Sequence, residues 1–363
     1  MSEERMKILS LLEEGHITAE EADKLLHALD QQHTKSDSST ESTNKNYETE
    51  QDSQDSSTSF TKELKNFTEG VFHFIDDTFQ RVKEGPFEFN FSHMHVKRTF
   101  TYDGRNVENL NIDVANSMIT FLPTTEQEIK VQCKGKVYKE SDQQRAEEVF
   151  DESVRVSVNE NTLQIEQDRK QVSVQLTIYL PKKVYENAYI KTINGSIQTN
   201  DLHMNQARVA TVNGSVTISG YEGDALYVDT KHGSVRLEDA VIGKSKVDTS
   251  TGSIFFDGSV EQLNMNVTTG SIRTYIRNAD ARHADLHATT GSIQLYVPNQ
   301  TPINGTANTT VSNVKVDLPF ATVTQLDDQF MKKLVQFHYK EEGKETFDVD
   351  LSTKTGSIRI YTI

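Results

Sequence analysis

Of 363 residues only one, Cys133, is a cysteine. An internal disulfide framework and a cysteine-only metal site are thereby excluded. Basic residues are also scarce: 38 Lys and Arg stand against 54 Asp and Glu, for a formal net charge of −16. Binding a phosphate backbone needs a basic footprint, so nucleic acid is excluded as the main partner. The balance suits a chain that repels anionic surfaces and attracts cationic ligands. No run of about 18 apolar residues is present, so no helix is expected to span a membrane. The N-terminus, MSEERMKILS, has no basic n-region, apolar h-region or small-residue cleavage site. The expectation is therefore a cytoplasmic protein, or one peripheral to the membrane or cell envelope. No G-x-S-x-G, Walker loop or H-E-x-x-H occurs, and the expectation is no enzyme, no catalytic residue, no metal and no cofactor.

What is present changes character along the chain. Residues 1–30 read as a helical hairpin, with Met6, Leu9 and Leu12 on one stripe and Ala22, Leu25, Leu26 and Leu29 on the other. Thr18 and Glu21 have the spacing of a capping box between them. Thirty residues bury too little surface to be stable alone, so self-association or docking on a protein partner is expected. Residues 31–59 contain no Leu, Ile, Val, Phe or Met. They cannot offset their ordering entropy and read as a disordered acidic linker. The first 59 residues hold 14 acidic and 5 basic side chains, a net of −9, which makes cationic peptides candidate partners.

Residues 60–85 form the third segment, whose sequence over 60–84 reads as one amphipathic helix. Phe60, Leu64, Phe67, Val71 and Phe74 recur at helical spacing, and Phe79 widens the stripe. This is the candidate interaction face. It packs on the following domain or on a second copy, or lies in a membrane interface. Its four basic and five acidic residues lack the positive bias that draws a helix to anionic lipid.

From residue 86 to 363 the pattern alternates and is rich in Val, Ile and Thr. Leu163–Gln167 and Ser173–Leu180 read as strands, and residues 142–152 as a short helical insert. A Gly-Ser-(Ile/Val) triplet recurs at Gly195, Gly214, Gly233, Gly252, Gly270, Gly291 and Gly356, at intervals of 19, 19, 19, 18, 21 and 65 residues. Relative to each glycine, positions −5, −3, +2 and +4 are apolar or Thr, which is strand periodicity. A fixed period near 20 implies stacked coils. The fold class is therefore mainly β: a β-solenoid, of β-roll or β-helix type, with two or three short strands per coil. Glycine is expected at the corner for a positive φ, and the following serine to bond backbone or its copy in the next coil. Residues 297–350 stay unassigned, except that 313–319 reads as a degenerate coil and 327–339 as a helix or hairpin.

The T-x-N-G-S-(I/V) units resemble a bacterial domain labelled "putative adhesin", over roughly residues 100–363. The opening MKILSLLEEGHITAEEADKLLHAL resembles the helical hairpin heading the YvlB and LiaX type of cell-envelope-stress proteins of Gram-positive bacteria. Hairpin, tether, Phe-rich helix and solenoid come in that type's order. The resemblance implies association with the envelope and with antimicrobial-peptide or envelope-stress responses. It carries over no catalytic residue.

Other candidate chemistry is weighed against plainer readings. His93 and His95 share one side of a strand, a metal pair only with a third ligand. His283 and His287 lie four apart on a strand, about 13 Å, too far for one ion. Asp229 and Asp248 share a column with Lys191, as a cation or catalytic site would, or as solvated outward residues would. Cys133 reads as a small core hydrophobe. Three functions are compatible with these features: a non-enzymatic envelope-stress or interaction protein with the solenoid as scaffold, a surface adhesin or carbohydrate-binding solenoid, and a polysaccharide-active enzyme.

Overall fold

A computed structural model describes residues 93–363, apart from 170, 330 and 331. The hairpin, linker and Phe-rich helix expected over residues 1–85 lie outside the described residues. The described chain is a β-solenoid, as the repeat implied.

The middle of the stack is built from β9 (Ile197–Asn213), β10 (Val216–His232), β11 (Val235–Thr251) and β12 (Ile254–Thr269). Each is parallel and in register with the next: Val216 lies between Ile197 and Val235, and Val228 between Val209 and Val247. A coil is thus one strand of 16 or 17 residues, not the two or three short strands expected. It is folded at two corners. One is the Gly-Ser step. The other is a single residue at Asp201, Gly220 and Asp239, which share one column with φ of 50°, 66° and 51°. Asp and Gly are residue types that tolerate this left-handed conformation. The coil after Gly252 lacks that residue, so Asp239 is skipped where Ala240 pairs with Gly258, and the interval falls to 18.

The Gly-Ser corner separates a trailing face before it from a leading face after it. All seven copies bury positions −5, −3, +2 and +4, from Ile190, Thr192, Ile197 and Thr199 to Leu351, Thr353, Ile358 and Ile360. The apolar members alone, stacked coil on coil, form one continuous core.

Sequence order and spatial order part at both ends. After β13 (Ile272–Ile276), β14 (His283–Thr290) and β15 (Ile293–Val297), the chain skips a level. It lays down β16 (Ile303–Thr309) and β17 (Val314–Asp317), then the hairpin of β18 (Thr322–Gln329) and β19 (Lys332–Tyr339). Only then do β20 (Phe347–Thr355) and β21 (Ile358–Thr362) fill the skipped level. β20 pairs with β14 on one side and β16 on the other, and β21 with β15 and β17. The 65-residue interval is this excursion. Residues 313–319 do contain a coil strand, and 327–339 lie in a capping hairpin.

The other end is interleaved too, with the intervening coil laid down first rather than last. β2 (Asn109–Val114) and β3 (Ser117–Thr124) form a coil between β6 (Thr162–Gln167) with β7 (Val172–Pro181) and β8 (Val184–Asn194) with β9. The outermost level is closed by antiparallel partners: β1 (His93–Asp103) and β4 (Glu128–Tyr138) beside β7, and β5 (Val154–Asn159) beside β6. The helical insert is α1 (Gln143–Ser153), capped by Asp142 accepting from the Arg145 amide at 2.8 Å. It buries Ala146, Val149 and Phe150. Cys133 of β4 is buried, and burial pushes its thiol up to about 12.

Candidate functional site

The glycine column is architecture. A Cβ on Gly233 would sit 2.0 Å from the Gly214 carbonyl oxygen, and one on Gly214 equally near that of Gly195. Five of the seven glycines have φ between 144° and 158°, but Gly214 and Gly233 do not. The reason common to the column is therefore close approach of successive backbones, not the positive φ expected. In the coils that flank the seven copies the column holds Ser117 and Ser312 instead, as Ile119 pairs with Ile197 and Val314 with Ile358.

The other corner residues are consumed internally too. The hydroxyls of Thr192, Thr211, Thr230, Thr249, Thr353 and Thr309 each donate to the corner carbonyl of the neighbouring coil, at 2.8–3.1 Å. Serine hydroxyls accept from the next serine's amide, for example Ser253 from Ser271 at 3.2 Å. Asn213 donates to Asn194, and Asn194 to Asn116, both at 2.8 Å. The repeated serines are thus rungs of a ladder that runs from coil to coil.

On the outer trailing face the aligned pair Asp229 and Asp248 lies in adjacent coils. Burial, followed by the charge of Asp248, pushes Asp229 up to about 7. Asp248 is engaged by Asn266 at 2.7 Å and Lys246 at 3.4 Å, and Lys191 by Asp113 at 3.6 Å. Asp248 and Asp113 are thus held by their own neighbours. His93 and His95 meet edge to face, centroids 4.9 Å apart, and His287 Nδ1 lies 2.7 Å from the Ser352 hydroxyl. Among the described residues no group of three His, Cys, Asp or Glu is arranged to hold a metal ion. An open groove of about 630 Å³ runs along the second corner, lined by Glu222, Asp224, Glu261 and Asp280 with Val184 and Val241. His203 Nδ1 lies 3.0 Å from Glu222 there.

The outer leading face holds what the repeat reading missed. Tyr275, Tyr296 and Tyr361 occupy one column five residues after the corner. Their rings stack at 4.3 and 5.2 Å, with interplanar angles of 10° and 25°. Phe255 adjoins Tyr275 at 5.9 Å. Two positions earlier runs a column of Arg236, Phe255, Arg273, Gln294, Arg359 and Lys315. The signal was legible: the triplet extends to GSIRTY, GSIQLY and GSIRIY in three copies. The candidate face of Phe60, Leu64, Phe67, Val71, Phe74 and Phe79 lies outside the described residues.

A chain whose parallel coils stack in register, with their repeated polar groups laddered from coil to coil, is a β-solenoid repeat protein by class. The chain belongs to the Toastrack DUF4097 family, whose model matches residues 107–361. A SHOCT-like domain model matches residues 3–32. The uncharacterized protein YvlB of Bacillus subtilis (strain 168) is 26% identical over 209 residues. That is 57% of this chain and 56% of the relative, so the match spans little more than half of YvlB. The YvlB-type likeness expected from the sequence holds. Among solved structures, a "putative adhesin" from Bacteroides fragilis is 14% identical with a TM-score of 0.42, covering 74% of this chain and 97% of its own. A "putative lipid binding protein" from Parabacteroides distasonis is 13% identical with a TM-score of 0.38, covering 74% and 96%. None of these three is described as an enzyme. Among the described residues no helix is long and apolar enough to cross a membrane.

Proposed function

We propose that the chain is a non-enzymatic interaction protein of the cell envelope, acting in envelope stress. The solenoid is a stiff scaffold and residues 1–85 carry contact elements. The observation that supports this is the corner: Thr, Asn, Gly and Ser are spent on coil-to-coil ladders, as a structural rod requires and an active site does not. Residues 60–84 tether the scaffold to a protein partner or a membrane surface through Phe60, Phe67 and Phe74. The acidic first 59 residues take cationic peptides by screened long-range attraction.

Fractionation of cells tests the reading. The full chain is expected with the membrane, and a variant lacking residues 60–84 in the soluble fraction. Equal distribution of the two would overturn the tether, and steady turnover of a glycan by the purified chain would overturn the non-enzymatic assignment.

A further inference from the structure

We propose that the outer leading face around Arg273, Tyr296 and Arg359 binds an acidic polysaccharide laid along the solenoid axis. This partner class deepens the scaffold reading, and rests on it for its place in the envelope.

The two columns on this face divide into ends and a middle. At the ends, cations and carboxylates neutralise each other: Arg236 with Glu238, Arg277 with Asp257, and Lys315 with Asp317. In the middle three levels the carboxylates are replaced by tyrosines, while the cation column continues through Arg273 and Arg359. Both arginines are exposed, and neither pairs with a carboxylate among the described residues; Arg273 Nε donates to the Gln294 side chain at 2.9 Å. In a chain of net −16 this is a local reversal of charge. Exposed guanidinium forks match carboxylates in shape as well as charge.

The tyrosines set the rest of the chemistry. Stacking covers their ring faces, so each presents an edge and a phenol to the outside. The Tyr296 phenol, like any tyrosine hydroxyl, is protonated at neutral pH and can donate, and burial followed by Tyr275 raises it further from ionisation. Successive levels lie about 4.8 Å apart, so the two arginines stand roughly 10 Å apart with three phenols alongside. An extended chain of acidic sugars meets such a track with hydroxyls for the phenols and carboxylates for the guanidiniums. The strip is flat and unenclosed, which suits a polymer rather than a small ligand.

The test uses the purified full chain and three probes: polygalacturonate, uncharged dextran and inorganic polyphosphate. Polygalacturonate is expected to bind, and dextran to bind at least about tenfold more weakly. The double variant Arg273→Gln with Arg359→Gln should lose at least about tenfold in affinity, with a shallower salt dependence. Tyr296→Phe keeps the stack and should weaken binding about threefold. Both variants alter half-buried or exposed groups, and unchanged melting curves would show that they fold. Wild type that fails to bind polygalacturonate, or a double variant that binds as well, would overturn the proposal. Equal binding of polyphosphate would overturn the polysaccharide assignment, since the strip would then read charge alone. A chain found in the cytosol would fail the envelope reading while leaving these affinities intact, so the two failures are separable.

Discussion

The middle of the solenoid and its two ends use the same corner but differ in how the chain visits the levels. From β9 to β12 each coil is followed in space by the next in sequence, and the fixed period and the stack coincide. At the C-terminal end the chain leaves a level empty, builds the outer coil and its antiparallel cap, then returns to fill the gap. At the other end it lays down the inner coil β2–β3 first, adds the outer coil β6–β7 and its antiparallel partners, then resumes with β8 on the inner side. A parallel sheet that simply stopped would present an open edge to other chains. The interleaved ends cover that edge and hold each outer coil against a segment distant in sequence, supplied earlier at one end and later at the other. The difference teaches that a period reports the shape of a coil, whereas capping decides the order in which coils are stacked.

Removing residues 344–363 should break the comparison most severely. The truncated chain keeps β14–β15 and β16–β17 but lacks the level that pairs with both. Expected are protease sensitivity throughout 298–343 and a separate early unfolding transition in urea, the middle coils persisting to higher denaturant. A single unshifted transition would show that the outer coil does not depend on the inserted one.

Within the middle, neighbouring residues should differ sharply. Ile254 is 1% exposed in the +2 column, so Ile254→Asp buries a charge without a partner and should cost several kcal/mol. Ser253 lies beside it on the corner, where its hydroxyl accepts the Ser271 amide, so Ser253→Ala should cost about 1 kcal/mol or less. Thermal melts of the two variants check this, and similar shifts would contradict the register.

A smaller effect is expected at Asp229. Burial and then Asp248 raise its carboxyl to about 7 in the folded chain, against an ordinary value near 3.8; Lys246 and Lys231 oppose the shift. Below both values the group is protonated whether folded or unfolded. Between about pH 4 and 7 the unfolded chain gives up the proton that the folded chain retains, so this group's contribution to stability falls as pH rises, then levels off. Asp229→Asn should flatten the melting temperature across that window and raise it by a few degrees at pH 8. An unchanged slope would mean that the carboxyl is ionised throughout.

The solenoid was legible because its core obeys a strict rule: an apolar or Thr side chain at four fixed offsets from a glycine, coil after coil. The strands at 162–181 and the helix at 143–153 announced themselves by alternation and composition. The skipped level was not legible, since pairing of Leu351 with both Leu286 and Ala307 leaves no trace in local sequence. The second corner hid because Asp201, Gly220 and Asp239 share a backbone conformation rather than a residue type. The tyrosine ladder was written plainly in GSIRTY, GSIQLY and GSIRIY, but it lies outside the columns that define the core. Reading for burial alone passes over residues that a flat outer face displays.

The finest comparison lies between coils that have the corner threonine and two that lack it. Thr249 is 4% exposed and its hydroxyl donates to the Gly233 carbonyl at 3.0 Å. One level on, Val267 fills the same column, and Ala288 the next, with no hydroxyl to offer Gly252 or Gly270. Thr249→Val makes this coil copy its neighbour and keeps the volume, so only the hydrogen bond is lost, and the cost should be about 1 kcal/mol. The reverse exchange, Val267→Thr, buries a hydroxyl, which unpartnered would cost about 1–3 kcal/mol. Here the Gly252 carbonyl occupies the place that Gly233 offers to Thr249, so the new hydroxyl should find a partner. The expected change is within about 0.5 kcal/mol of wild type. Chemical denaturation of both variants measures the difference. A full unpartnered penalty at Val267 would show that the shorter coil after Gly252 has shifted its corner out of reach of the threonine column.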